Sequence, residues 1–439
     1  MSFHKKTISN WGNYPEVEAQ VSHPAFEAAL LRDFKDSDSL LARGNGRCYG
    51  DAALSDTVID MTSYNKILAF DYLTGIMTCQ AGTLLADVLE LSVPQGFFLP
   101  VTPGTKFVSV GGAIAADVHG KNHHVDGCFS EHVLEFQLLG EEGNLLKCSR
   151  ERNAELFWAT VGGMGLTGII TQATFQLKPI ETAYITQDCI KAKNLKEIMR
   201  LFEESKQWTY SVAWIDCLQK GSNQGRSIMM RGEHATIDEL PGKHKGAPLN
   251  LRRKGKKTVP FFFPNFTLNK YTVKVFNFLY YFKQLKRTIS NVVDYDTFFY
   301  PLDSILEWNR IYGKGGFIQY QMALPLASSE AGLGELLDAI NRSGQGSFLA
   351  VLKLFGKNNP NAFNSFPIEG YTLALDFKVN SKLPDLVREL DSIVKKHQGR
   401  LYLAKDTMSC RDGFDYFRPF GSRKFDSCQQ ERLFGCSRS

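Results

Sequence analysis

Three glycine-rich stretches punctuate the first 170 residues, and their order constrains the fold more than any other feature of the chain. The first is Arg43-Gly44-Asn45-Gly46-Arg47-Cys48-Tyr49-Gly50-Asp51. The second runs from Pro103-Gly104-Thr105 through Ser109-Val110-Gly111-Gly112 to His119-Gly120-Lys121-Asn122-His123-His124, and the third is Gly163-Met164-Gly165-Leu166-Thr167-Gly168. The third matches the G-x-G-x-x-G dinucleotide pattern, which needs a strand before it and a helix after it. Here a helical segment, 154–161, precedes it and an alternating strand, 169–177, follows, which argues against a Rossmann site. Glycine lets backbone N–H groups approach an anion closely, and Arg43 and Arg47 add charge and forked donors, so the first loop suits a diphosphate. No Lys-Ser or Lys-Thr pair completes a nucleotide-triphosphate loop. Three such loops together predict a large phosphate-bearing ligand.

The rest of the pattern is mixed. Strands are predicted at 39–42, 57–61, 76–80, 133–139, 145–148 and 169–177, with helices at 84–91 and 154–161 and a hairpin turn at Glu141-Glu142-Gly143-Asn144. A domain boundary is placed near Pro179. Beyond it come a helix at 195–205, strands around Val212 and Ile228, strands 317–323 and 371–377, an amphipathic helix 383–397 and a last strand 400–404. His119, His123 and His124 raise the question of a metal, but Gly120 and the lack of a carboxylate in register weigh against one, and none is expected.

Charge is unevenly spread. The chain of 439 residues carries a net +5, yet no acidic residue falls between Glu239 and Asp294, where twelve Lys and Arg residues lie. Among them are Arg252, Arg253, Lys254, Lys256 and Lys257, interleaved with Phe261, Phe262, Phe263, Phe266, Tyr271, Phe276, Phe278 and Phe282. Such a mixture suits an anionic lipid surface, and nucleic acid or a plain solvated loop over a core helix stays open on the segment alone. Nine scattered cysteines, at 48, 79, 128, 148, 189, 217, 410, 428 and 436, form no paired framework. The N-terminal twenty residues have no apolar run long enough for a signal peptide or membrane span. Reduced thiols and a cytoplasmic location are therefore expected.

The first loop, Pro103-Gly104-Thr105, Val110-Gly111-Gly112-Ala113-Ile114, His119 to His124 and Phe157-Trp158-Ala159-Thr160-Val161-Gly162-Gly163 resemble the PCMH-type FAD-binding domain of the vanillyl-alcohol-oxidase flavoprotein superfamily. His119 to His124, Trp308-Asn309-Arg310, Gln319-Tyr320-Gln321, Lys353-Leu354-Phe355-Gly356 and Ala404-Lys405-Asp406 are similar to its decaprenylphosphoryl-ribose oxidase subgroup. The resemblance implies an α+β fold, with an FAD-binding domain at 1–179, a substrate cap domain with an antiparallel sheet at 180–400, and a C-terminal segment, 401–439, returning to the first domain. It implies FAD held without a covalent bond by Arg43, Gly44, Asn45, Gly46, Arg47, Cys48, Tyr49, Gly50, Asp51, Gly104, Ser109, Val110, Gly111, Gly112, His119, Gly120, Lys121, Asn122, Ile170 and Tyr402.

The implied reaction is oxidation of the 2-hydroxyl of a polyprenyl-phosphoryl-ribose to a 2-keto sugar. A short-chain reductase would then complete an epimerisation toward a cell-wall sugar donor. The implied location is cytoplasmic, peripheral at a membrane, with no nucleic-acid partner. Removing a hydride from a sugar C–H requires the adjoining hydroxyl to lose its proton, which calls for a base or relay group. Lys405 is the first choice, with Tyr49, His119, Gln321 and Lys353 as pocket residues and Trp214 as an apolar wall. Oxidation of soluble alditols or aldonolactones, or flavin binding without turnover, are the alternatives.

Two positions depart from the subgroup pattern: Thr372 and Ala374 stand where the mycobacterial members carry asparagine and cysteine, which predicts resistance to cysteine-trapping inhibitors. The tail from Arg423 to Ser439 looks shortened, which leaves the docking of the last segment open.

Overall fold

The computed structural model describes residues 2–251 and 255–435. Arg252, Arg253 and Lys254 of the basic run, and Cys436 with the last three residues of the tail, lie outside the described residues. The fold is α+β. A four-stranded sheet orders His4–Ser9, Glu16–Ser22, Thr57–Asp60 and Leu41–Arg43, the last three mutually parallel. Beside it an antiparallel five-stranded sheet orders Ile67–Phe70, Ile76–Gln80, Ile169–Gln176, Val133–Leu139 and Leu145–Ser149. Gly143 supplies the positive φ, +78°, that closes the hairpin between its last two strands.

A third, eight-stranded antiparallel sheet carries the second half of the chain. Its order is Thr288–Asp294, Tyr184–Ala192, Ser227–His234, Tyr210–Ile215, Ala350–Phe355, Gly370–Lys378, Phe317–Pro325 and Arg400–Leu401. Side chains alternate across each strand, so each strand serves two environments. Leu352, Leu354, Leu373, Leu375, Met322 and Leu324 face helices Leu195–Glu203, Ser329–Ser343 and Leu383–Lys396, forming one large core with Ile198, Leu336, Ile340, Leu386 and Leu390. Val351, Lys353, Thr372, Ala374, Asp376, Gln319 and Gln321 have the opposite parity. In register, Gln321 pairs with Ala374, Ala374 with Val351, and Lys353 with Thr372. That second face looks toward the glycine-rich loops.

Two expectations change. The predicted strand 400–404 is only Arg400–Leu401, because the chain turns at once: Tyr402 N–H donates to the Gln321 carbonyl, and Lys405 and Asp406 N–H groups both donate to the Tyr402 carbonyl. The turn is what sets Lys405 at the edge of the sheet face. The tail is docked up to Gly435: Phe425 is fully buried and bridges Leu40, Ser427 caps helix Cys428–Phe434, and Arg432 pairs with Asp51 and Asp406. The eight described cysteines are free thiols. No helix among the described residues is long and apolar enough to cross a membrane.

Candidate functional site

Between the loops and the sheet lies a cleft partly open to solvent. The sequence-predicted residues that line it are Arg43 to Tyr49, Gly104, Ser109, Gly111, Gly112, His119, Ile170, Gln321, Lys353, Tyr402 and Lys405. They come from segments as far apart in the chain as Arg43 and Lys405. Gly165 and Gly168 of the third glycine stretch also reach it.

The loop wall is built mostly from backbone. A methyl group on Gly44 would lie 2.1 Å from Ser109 Oγ, so the first two glycine stretches touch, whereas one on Gly104 would stand in open space. Ser109 Oγ in turn accepts from Gly112 N–H. Arg43 is held by the Ser9 carbonyl at 2.9 Å, but its buried Nε has no partner. Arg47 stacks 4.0 Å over the Trp11 ring, and Asn45 donates to the Phe107 carbonyl at 2.9 Å. Four basic side chains line the cleft, Arg43, Arg47, Lys353 and Lys405, the arginines charged throughout and the lysines lowered by burial, against two carboxyl groups, Asp303 and Asp376. That surplus, the orphaned Arg43 Nε and the open space at Gly104 fit a long ligand with a dianionic diphosphate.

The sheet wall is built from side chains. His119 sits among the rings of Phe355, Phe366 and Tyr402. Its Nε2 lies 3.1 Å from Gln321 Nε2 and its Nδ1 lies 3.0 Å from Lys353 Nζ. Burial, reinforced by Lys353, His123 and Lys405, pushes the imidazole well below its ordinary range, so it is neutral. Lys353 is lowered to about 7, chiefly by burial and then by Lys405 and Lys121. Lys405, lowered to about 8 by burial, keeps its charge more readily because Asp376 opposes the shift, and its ammonium lies 4.0 Å over the Tyr49 ring. Asp376 is raised to about 7 by burial and accepts from Gln319 Nε2 at 2.6 Å and Tyr312 OH at 3.2 Å.

Other predicted residues serve the frame of the cleft. Gly50 packs where a methyl would collide with the Asp406 carbonyl at 1.8 Å, and Asp51 meets Arg432 at 2.8 Å. Val110 is buried in the apolar core, Gly120 packs against Asn122, and Asn122 donates to the Pro100 carbonyl at 2.7 Å. Lys121 turns to the Phe298 carbonyl and ring. Trp214 does not form the apolar wall: helix Lys270–Lys283 lies over it, with Tyr280 on its ring and its Nε1 donating to the Phe348 carbonyl at 3.0 Å. Trp308 and Trp11, edge to face at 5.5 Å, supply that wall instead. The sequence reading also missed Asp376, Asp303 and Val351 as lining residues. Alternation along Tyr371–Phe377 puts Asp376 in line with Thr372 and Ala374, a signal that names a face without naming what it faces.

Residues 15–149 match the FAD binding domain family. The chain is 38% identical over 426 residues to the decaprenylphosphoryl-β-D-ribose oxidase of Mycolicibacterium smegmatis, covering 94% of this chain and 92% of that one. It is 31% identical to an uncharacterised protein of Streptomyces coelicolor over 74% of this chain and 89% of that protein. The L-gulonolactone oxidase of Bos taurus is 31% identical over only 36% of this chain and 35% of its own length.

Proposed function

This chain belongs to the decaprenylphosphoryl-β-D-ribose oxidase family of FAD-dependent oxidoreductases, and from that premise we propose that it oxidises the 2-hydroxyl of a polyprenyl-phosphoryl-ribose to a 2-keto sugar. The observation that carries the reading is the meeting of Lys353 from the sheet face, a neutral His119 from the second glycine stretch and Lys405 from the turn at the sheet edge, opposite a glycine-lined wall with two arginines. Bound FAD supplies the hydride acceptor. Residues 1–179 would hold it, 180–400 would cap it, and 401–439 would return to brace the first loop. Arg43, Arg47 and the backbone of 44–46, Gly104 and 109–112 take the diphosphate side, and Ile170 and Tyr402 the ring side. Both His119 nitrogens are engaged by side chains, which supports FAD held without a covalent bond.

We assign Lys405 to the reacting hydroxyl. As an ammonium it stabilises the alkoxide that develops there, and as an amine it accepts the proton. Tyr49, His119, Gln321 and Lys353 orient the sugar hydroxyls or its phosphate, with Trp308 as the apolar wall. The keto product would pass to a short-chain reductase. Purified protein should be yellow, and its flavin band should bleach anaerobically with a prenyl-phospho-ribose and not with soluble sugars. Bleaching by xylitol or an aldonolactone instead would move the assignment to that substrate class.

The segment after the basic run supports a peripheral membrane position. Helix Lys270–Lys283 buries only Val273, Asn277 and Tyr281, and leaves Tyr271, Val275, Phe278, Leu279 (62% exposed) and Phe282 in solvent beside Lys270, Lys274 and Lys283. Phe266 at 77% and Leu285 at 90% extend the apolar surface. Strand Lys257–Thr258 pairs with Ile305–Leu306, next to the cleft residues Leu302 and Asp303. Apolar side chains flanked by lysines suit an anionic bilayer, where a lipid-linked sugar is met. Sedimentation with phosphatidylglycerol liposomes should fall sharply for Phe278→Ser/Leu279→Ser and for Lys256→Glu/Lys257→Glu; unchanged sedimentation of both would remove the membrane reading.

A further inference from the structure

We propose that Thr372 is a positioning residue that sets the direction of a hydrogen-bond chain through Gln321 and His119, so that Lys353 faces the cleft as a neutral amine. The inference rests on the oxidase reading for the substrate used in one of its tests, and its geometry stands apart from that reading.

The direction follows from donor and acceptor inventory. The Met322 carbonyl can only accept, so Thr372 Oγ1, 2.8 Å away, donates its one proton there. Thr372 Oγ1 is left solely as an acceptor, and the Gln321 group 3.2 Å from it is therefore the amide NH2. The second N–H of that amide is directed at His119 Nε2, 3.1 Å away, which must then be unprotonated. A neutral imidazole so arranged carries its proton on Nδ1, and Lys353 Nζ lies 3.0 Å from that atom. An ammonium has no lone pair to receive it. The chain is complete only when Lys353 is an amine.

Protonating Lys353 would require the imidazole proton to move to Nε2 and the Gln321 amide to turn over. The turned amide would set its oxygen against Thr372 Oγ1, whose proton is already committed to Met322. One hydrogen bond is lost each time Lys353 takes a proton, and the chain returns to order when it gives the proton up.

The charged neighbours act in the same direction. Among the described residues, Lys353 has Lys405 and Lys121 as neighbours, both cationic when protonated, opposed by Cys128; His119 has Lys353, Lys405 and His123. Burial is the largest cause for both lysines: with the neighbouring amines it lowers Lys353 to about 7, and against the favourable charge of Asp376 it lowers Lys405 to about 8. The two lysines thus differ in their neighbours: other amines oppose the charge of Lys353, whereas Asp376 favours the charge of Lys405.

The test uses the holoenzyme labelled with 15N-histidine. Wild type and Thr372→Ser should show His119 with its proton on Nδ1. Thr372→Val, which keeps the shape and removes the hydroxyl, should move it toward Nε2, as should Gln321→Glu, which replaces the amide donor by an acceptor. Retention of bound flavin checks that each variant is folded. In anaerobic flavin reduction by a prenyl-phospho-ribose, the acid limb of the pH profile should rise by about one pH unit in Thr372→Val, the worth of one buried hydrogen bond, and stay in place in Thr372→Ser. An Nε2-protonated His119 in the wild type, or a tautomer and acid limb that do not respond to Thr372→Val, would overturn the proposal. Absence of flavin reduction by any sugar would sink the oxidase reading instead, with the tautomer still deciding this one.

Discussion

On the loop side, the cleft is lined by backbone, closely spaced glycines and two arginines; on the sheet side it is lined by side chains of three strands aligned through register, with His119 and Lys405 brought up against them. The difference sets how each wall fails. A glycine wall tolerates no added atom where chains touch, because the neighbouring carbonyl is fixed. A side-chain wall keeps its shape when one group is exchanged, and loses chemistry instead.

The largest effect is therefore expected on the loop side. Gly50→Ala would place a methyl 1.8 Å from the Asp406 carbonyl, and should cost about 3 kcal/mol or more with loss of bound flavin, read from the flavin-to-protein ratio and the denaturant midpoint. A variant that stays yellow with unchanged stability would show that the two loops can part. Next, Lys405→Met should keep the flavin and slow its anaerobic reduction about a hundredfold or more; reduction near the parent rate would remove Lys405 from the chemistry.

Arg432→Ala tests whether the tail joins the two walls. Its guanidinium reaches Asp51, on the first loop, and Asp406, beside Lys405. The side chain is 29% exposed, so the loss should be moderate, roughly 1–3 kcal/mol, with flavin retained less well. The effect of Lys353→Met on stability depends on pH, and it carries a sign. The folded protein holds this lysine at about 7 against an ordinary 10.5, so between those values the unfolded chain binds the proton and the folded one does not, and stability rises with pH across that window. Lys353→Met should raise the apoprotein melting temperature more at pH 6 than at pH 10, and an equal gain at both would contradict the shift. The smallest change in stability is expected for Gly104→Ala, within about 0.5 kcal/mol, because its methyl meets only open cleft. Flavin retention should nonetheless fall, separating a glycine that serves the ligand from one, Gly50, that serves the fold.

Most strands and helices were legible because alternation and 3.6-residue periodicity are local: Ile76–Gln80 and Val133–Leu139 lie where the pattern puts them, and Ile169–Gln176 differs only at its end. The strand expected at 400–404 was overextended because its apolar run, Leu401 to Ala404, continues through a turn that is stabilised by Gln321, a residue some eighty positions earlier. Trp214 illustrates the same limit. It shares the cleft face of the sheet, in register with Val351, and only the packing of helix Lys270–Lys283 decides that it is covered.

By itself, the sequence determined the glycine loops, their reversed order against a Rossmann site, the family and the identity of Lys405, His119, Gln321 and Lys353 as residues worth watching. Each of those rests on spacing or residue type within a short window. The tertiary structure alone decided that Gln321 meets both Thr372 and His119, that Asp376 shares the cleft with Lys405, that the Lys121 and Asn122 side chains bond the Phe298 and Pro100 carbonyls, and that the tail braces the first loop. Those outcomes depend on strand register and on which carbonyl a hydroxyl can reach, and hydrogen-bond direction is a property of neighbours in space that no single segment contains.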